Sequence, residues 1–169
     1  MKSFSDPECL RERRGIAFEE ERIICERDEF DYFASLSGLA AVGVTNKRGA
    51  VLLMDSTHGW RLPYGPVDLS EDWLTAGSQM SETLTGVEVS VTSVERVSKL
   101  IRRLEGSEEL STVSYDVVLR LTPVTGEPIA DDPSFGPWDE VELGWFDTIP
   151  EDAYWDHESA VDDIHSISG

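Results

Sequence analysis

Apolar and small residues recur at helical spacing in one stretch above all others. From Glu71 onward, Trp73, Gly77, Met80 and Leu84 follow at steps of four, three and four. Asp68 and Glu71 are spaced as in a capping box, Ser70 offers a second cap, and Gly86 suits the left-handed residue that closes a helix. Ahead of this helix, Trp60 and Leu62 alternate as a strand does. Pro63 has no N–H to give and stops regular pairing, and Gly65 supplies backbone freedom for a turn. A loop of this kind at a helix N-terminus suits anions, because free N–H groups point at them.

The remaining pattern surrounds this unit with strands. Residues 39–45 and 50–54 are two apolar strands joined by a hairpin turn at Asn46-Lys47-Arg48-Gly49. Residues 87–97 alternate for part of their length, with a bulge expected at Ser93, and 100–104 continue that strand to a turn at 105–107. In residues 112–121, Val113, Tyr115, Val117, Leu119 and Leu121 share one face, while Ser114, Asp116, Val118 and Arg120 share the other. A proline-rich loop over 125–136 carries Asp131 and Asp132. Residues 140–147 form a late strand, Pro150 opens a turn, and 160–167 form a short amphipathic end. Before position 38, Asp6-Pro7 starts a short charged helix over 8–14, followed by a strand over 20–25 and a helix over 28–36. The order predicts a mixed sheet between helices, an α/β/α sandwich over 38–169, with residues 1–37 as an N-terminal extension packed on it.

The stretch from Trp60 to Val87 resembles the Nudix hydrolase signature, G-x(5)-E-x(7)-R-E-U-x-E-E-x-G-U, with U aliphatic. Trp60, Leu62, Pro63 and Gly65 match its usual lead-in, and Gly65, Glu71, Gly86 and Val87 match the box itself without a gap. Trp145 and Phe146 resemble the late strand of that family. The resemblance covers about residues 38–165 and implies a Nudix-like α/β/α fold acting on nucleoside-diphosphate-linked compounds. It also implies Mg²⁺ or Mn²⁺ as the cofactor of an active member. The departures fall on the chemistry. Gln79 and Met80 stand where the family has Arg-Glu, and Thr83 and Leu84 where it has Glu-Glu. Hard cations take oxygen ligands, carboxylates above all, and Met and Leu supply none. Ser81 also replaces the aliphatic residue, and Tyr64 a loop glycine.

Charge narrows the class of partner. The 169 residues carry 34 acidic against 14 basic side chains, a net charge of −20, and of the basic residues three are Lys and eleven Arg. An acidic, lysine-poor surface resembles that of proteins from salt-in halophiles, whose solvent screens self-repulsion. Such a surface disfavours nucleic acid and anionic membranes as partners, since both are bound through Lys and Arg. No apolar run nears the length of a membrane span and no secretory pattern opens the chain, so a cytoplasmic protein is expected. Cys9 and Cys25 are too few for a disulfide framework or a zinc site and read as small packed side chains.

Three groups of residues remain for chemistry. Glu71 and Glu82 are the candidate catalytic carboxylates; on one helix they would lie about 16 Å apart and could not share a metal, so no metal ligand set is assigned. Glu105, Glu108, Glu109 and Asp116 are further acids on the following hairpin. Arg96, Lys99, Arg102, Arg103 and Arg120 gather on two strands, as an anion contact or as partners of Glu105, Glu108 and Glu109. Arg61, Tyr64, Gly65, Arg102, Arg103 and Arg120 are the candidate ligand-binding residues, with Tyr64 placed to stack on a base or to block the phosphate site. Phe135, Trp138 and His58 are weaker candidates. Three functions stay open: a Nudix-fold protein without ordinary catalysis that binds a nucleotide or a protein partner, an active hydrolase with relocated carboxylates, or an interaction module that uses the apolar face at Met80 and Leu84; the N-terminal extension could separately mediate a homodimer. Restoring Glu at positions 80, 83 and 84 is expected to give metal binding if the family backbone is kept.

Overall fold

The computed structural model describes residues 2–56, 59–133, 141–153 and 158–168. Its strands are β1 (Ala17–Cys25), β2 (Leu36–Gly43), β3 (Val51–Ser56), β4 (Gly59–Arg61), β5 (Tyr64–Asp68), β6 (Val91–Leu104), β7 (Ser111–Leu121) and β8 (Leu143–Phe146). Its helices are α1 (Arg27–Ala34), α2 (Trp73–Thr85) and α3 (Glu158–Ser168), with a 3-10 turn at Pro7–Leu10. Five strands form a mixed sheet in the order β1-β6-β7-β2-β5, and β4-β3-β8 form a small antiparallel one. The β1/β6 and β2/β7 pairs are parallel; β6/β7 and β2/β5 are antiparallel. The mixed α/β architecture expected from the sequence is present.

One face of the large sheet is closed by α2. Trp73, Ala76 and Leu84 pack against Ala40, Val42, Val67, Val97, Val117 and Leu119, all buried. Alternation delivers these residues: Val117, Leu119 and Leu121 come from the apolar face of β7. Gly77 lets the helix sit close, since a Cβ there would run into the Leu119 side chain. The opposite face is covered only at its ends. Ile164 and Ile167 of α3 pack with Val118, Leu53 and Leu62 at one end. At the other, Phe30 of α1 packs with Cys25 and Leu104.

Several boundaries move from their sequence-based positions. The first helix shrinks to the 3-10 turn, whose Asp6 cap and Pro7 are as expected; Leu10 is buried rather than exposed. β6 starts at Val91, so 87–90 are not part of it, and its register shifts between Val91 and Ser93 and again between Val94 and Arg96. Gly65 lies within β5, paired to Ala40, instead of in a turn. Cys9 is exposed, whereas Cys25 is buried. The expected contacts of His58, Phe135, Trp138 and the strand start at Glu140 lie outside the described residues.

Candidate functional site

The helix that carries the signature is ordered by a cap other than the expected one. Asp72 is the N-cap: its carboxylate accepts from the Thr75 N–H at 2.9 Å and the Thr75 hydroxyl at 2.7 Å. Asp68 and Glu71 keep half of a capping box, with the Glu71 carboxylate accepting from the Asp68 N–H at 3.0 Å, ahead of the helix. Gly86 closes α2 in the left-handed conformation, φ 77°, as the sequence indicates. The N-terminal segment then crosses the helix start. Phe4 donates its N–H to Asp72 at 2.8 Å and its carbonyl accepts the Trp73 N–H at 2.9 Å. The anion site expected at this N-terminus is therefore occupied by the chain's own oxygens.

The metal face of the signature does not fit a metal. Leu84 is fully buried in the core, and its carbonyl accepts the Ala130 N–H at 2.9 Å. Met80 packs against the same core, and the Thr83 hydroxyl is spent on the Gln79 carbonyl at 2.9 Å. Among the described residues no three His, Cys, Asp or Glu side chains group to hold a metal ion. Glu82 is exposed on α2 and Glu71 stands outside the helix, so these two acids do not converge.

A cleft of about 670 Å³ opens instead on the other face of the sheet, over its uncovered middle. Four residues of β6 point into it by alternation: Arg96, Ser98, Leu100 and Arg102. The two arginines stand about 20 Å apart along the strand, one at each covered end. Arg102 lies 3.5 Å over the Phe33 ring of α1, donates to the Ser114 hydroxyl at 2.7 Å, and pairs with Glu29 at 3.4 Å. Arg96 pairs with Asp163 of α3 at 2.8 Å and with Glu19 of β1 at 3.9 Å. Asp116 of β7 forms part of the floor, between Ser98 of β6 and Leu39 of β2 in the pairing. Arg61 of β4 lies 4.0 Å over the Tyr64 ring, and both line the cleft.

Burial dominates the electrostatics of this floor. It pushes the Asp116 carboxyl up to about 6, against the pull of Arg102, Arg61 and Arg96. Burial likewise lifts Asp163 to about 6, against Arg96 and Arg61. Elsewhere Glu8 is held down at about 2 by its hydrogen bonds from Arg11 and Lys99. The Glu8 pair with Lys99 measures 2.7 Å, and Tyr115 donates to the same carboxylate at 3.0 Å.

The candidate ligand residues thus divide. Arg61, Tyr64 and Arg102 meet at the cleft. Gly65 lies buried in β5 beside Tyr64, and Arg103 is on the other pleat of β6 from Arg102. Arg120 binds Glu95 at 2.6 Å and the closing carbonyls of α3, Ser166 at 2.6 Å and Ile167 at 3.2 Å. The expected pairing of the basic cluster with Glu105, Glu108 and Glu109 does not form. Those acids are exposed at the β6–β7 turn, and the basic residues find Glu8, Glu19, Glu29, Glu95 and Asp163 instead. Asp163 and the catalogue of β1 acids at the cleft, Glu19 to Glu21, were not legible as site residues. Asp116 had one signal, the lone acid of its strand, on the face it shares with Ser114, Val118 and Arg120.

No family model matches the chain, and no curated protein matches it in sequence. Solved structures match in shape. An Escherichia coli dihydroneopterin triphosphate pyrophosphohydrolase superposes with a TM-score of 0.51 at 11% identity, over 79% of this chain and 93% of the other. A mutant Bacillus subtilis pyrophosphohydrolase matches at 0.46 and 16% identity, over 79% and 81%. At such identity the likeness is one of fold, and the fold of this chain is Nudix-like.

Proposed function

We propose that this Nudix-fold protein binds a nucleotide-type ligand in the sheet-face cleft and does not perform metal-dependent pyrophosphate hydrolysis on α2. The observation that carries the reading is Leu84. At a position where an active member presents a carboxylate to metal, this side chain is sealed in the core. A carboxylate needs water or a cation there, and the packing offers neither. The cleft supplies what a heterocyclic phosphate requires: guanidinium groups for oxygen acceptors and an aromatic ring beside them, in Arg61, Arg102 and Tyr64. The Escherichia coli neighbour acts on a heterocyclic triphosphate by its name, which supports the same ligand class. The acidic, lysine-poor composition supports work in concentrated salt.

The test is hydrolysis of nucleotide-sugars, dinucleoside polyphosphates, nucleoside triphosphates and ADP-ribose with Mg²⁺ or Mn²⁺ in molar KCl. Folded protein is expected to show no turnover while still binding nucleotides. Turnover that Glu71→Gln or Glu82→Gln abolishes would establish a rebuilt metal site and overturn the reading.

A further inference from the structure

Asp116 Oδ1 and Arg96 Nε are buried, line the cleft and have no hydrogen-bond partner among the described residues. Buried polar atoms are nearly always satisfied, so an open acceptor and an open donor on one surface call for a common explanation. The sheet register brings them together. Arg96 pairs laterally with Val118, two residues from Asp116 on β7, so the two side chains are diagonal neighbours on one face, about 7 Å apart at the backbone. A carboxylate only accepts and a guanidinium only donates. Arg96 is held by Asp163, which its Nη2 reaches at 2.8 Å, so the open Nε is not the atom that this ion pair uses.

We infer that Asp116 is the specificity-determining residue of this cleft and that it selects a guanine-type base on a nucleoside diphosphate. The inference rests on the reading of the cleft as a nucleotide site. A ligand edge that completes both open atoms carries N–H donors beside an oxygen acceptor. Guanine has that order, with a ring N–H and an exocyclic amine for the carboxylate and the adjacent carbonyl for the guanidinium. Adenine lacks the ring N–H on that edge, and hypoxanthine lacks the amine. The aromatic ring of Tyr64 lies in the same cleft, whose volume of about 670 Å³ accommodates a nucleoside. Arg102 lines the α1 end of the same cleft, paired with Glu29 and laid over the Phe33 ring, and is the guanidinium at the end away from Arg96, on the side assigned to the phosphates.

Calorimetric titration of the full chain with GDP, IDP and ADP in molar KCl tests this, on wild type and Asp116→Asn. GDP is expected to bind at least about tenfold more tightly than IDP or ADP, the discrimination of one good paired contact. In Asp116→Asn that preference is expected to vanish while IDP affinity changes little. Equal binding of the three by wild type overturns the inference alone, because the cleft would still be a nucleotide site. A GDP preference that survives in a variant melting like wild type overturns it as well. Should the variant fail to fold, the wild-type ratio of GDP to IDP decides. Absence of binding by all three defeats the nucleotide reading itself, and the inference with it.

Discussion

The two faces of the large sheet are made by the same strands and have opposite characters. On the α2 face, β2, β6 and β7 present Ala40, Val42, Val97, Val117 and Leu119, and the helix covers them with Trp73, Ala76 and Leu84. On the other face the same strands present Leu39, Arg96, Arg102 and Asp116 to a cleft left open between α1 and α3. The signature helix is capped and packed as a scaffold element, and of its signature positions Leu84 lies in the core, Met80 is half-buried and Gln79 and Thr83 are exposed. The arginines of the far side are held in place by ion pairs to three different elements, β1, α1 and α3. The residues that shape this helix–sheet contact are the apolar ones of α2, and the contact needs no carboxylate at positions 80, 83 or 84.

Placing a charge on the closed face breaks the comparison most forcefully. Leu84→Glu buries a carboxylate among apolar side chains with no cation beside it, and is expected to cost about 4 kcal/mol or to prevent folding. Met80→Glu and Thr83→Glu, at half-buried and exposed positions, are expected to be far milder. Urea denaturation of the three variants checks the order. The restored triple is then expected to unfold rather than to bind Mg²⁺, and a folded, metal-binding triple would show that Leu84 can leave the core.

Removing a charge from the open face comes next. Arg96→Met strips Asp163, and a neighbour of Asp116, of its cation, with an expected loss of about 2–4 kcal/mol at pH 7. The pH dependence sharpens this. Asp116 and Asp163 both sit at about 6 against an ordinary 3.8, so the folded state takes up protons before the unfolded chain does. Their contribution to stability is full below about 3.8 and is lost as pH rises through about 6. The penalty of Arg96→Met is therefore expected to shrink at pH 5, where both carboxyls are largely neutral. A penalty equal at pH 5 and 7.5 in parallel denaturation curves would show that Arg96 acts through packing alone.

The smallest effect belongs to the junction of the helix with the N-terminal segment. Asp72→Ala removes the cap of α2 and the acceptor of the Phe4 N–H, at about 1–2 kcal/mol. Thermal melts should show it, with the cleft's ligand affinity unchanged. A loss of affinity would mean that the two faces are coupled through α2.

The helix, its Gly86 closure, the succession of the long strands along the chain and the Nudix-like lead-in were legible because they are local: period, caps and turn residues act over a few positions. The missing carboxylates were legible for the same reason, being identities at fixed spacings along one helix. The N-cap shifted from Asp68 to Asp72 because a segment from the chain's start, Phe4, supplies a partner that no local pattern shows. The cleft is likewise a tertiary product. Glu19, Arg61, Arg96, Asp116 and Asp163 come from five elements, and only the parallel pairing of β1 on β6 and the docking of α3 bring them to one surface. Spacing along the chain determined which residues share a face; which face stayed open was decided by where α1, α2 and α3 found apolar surface to cover.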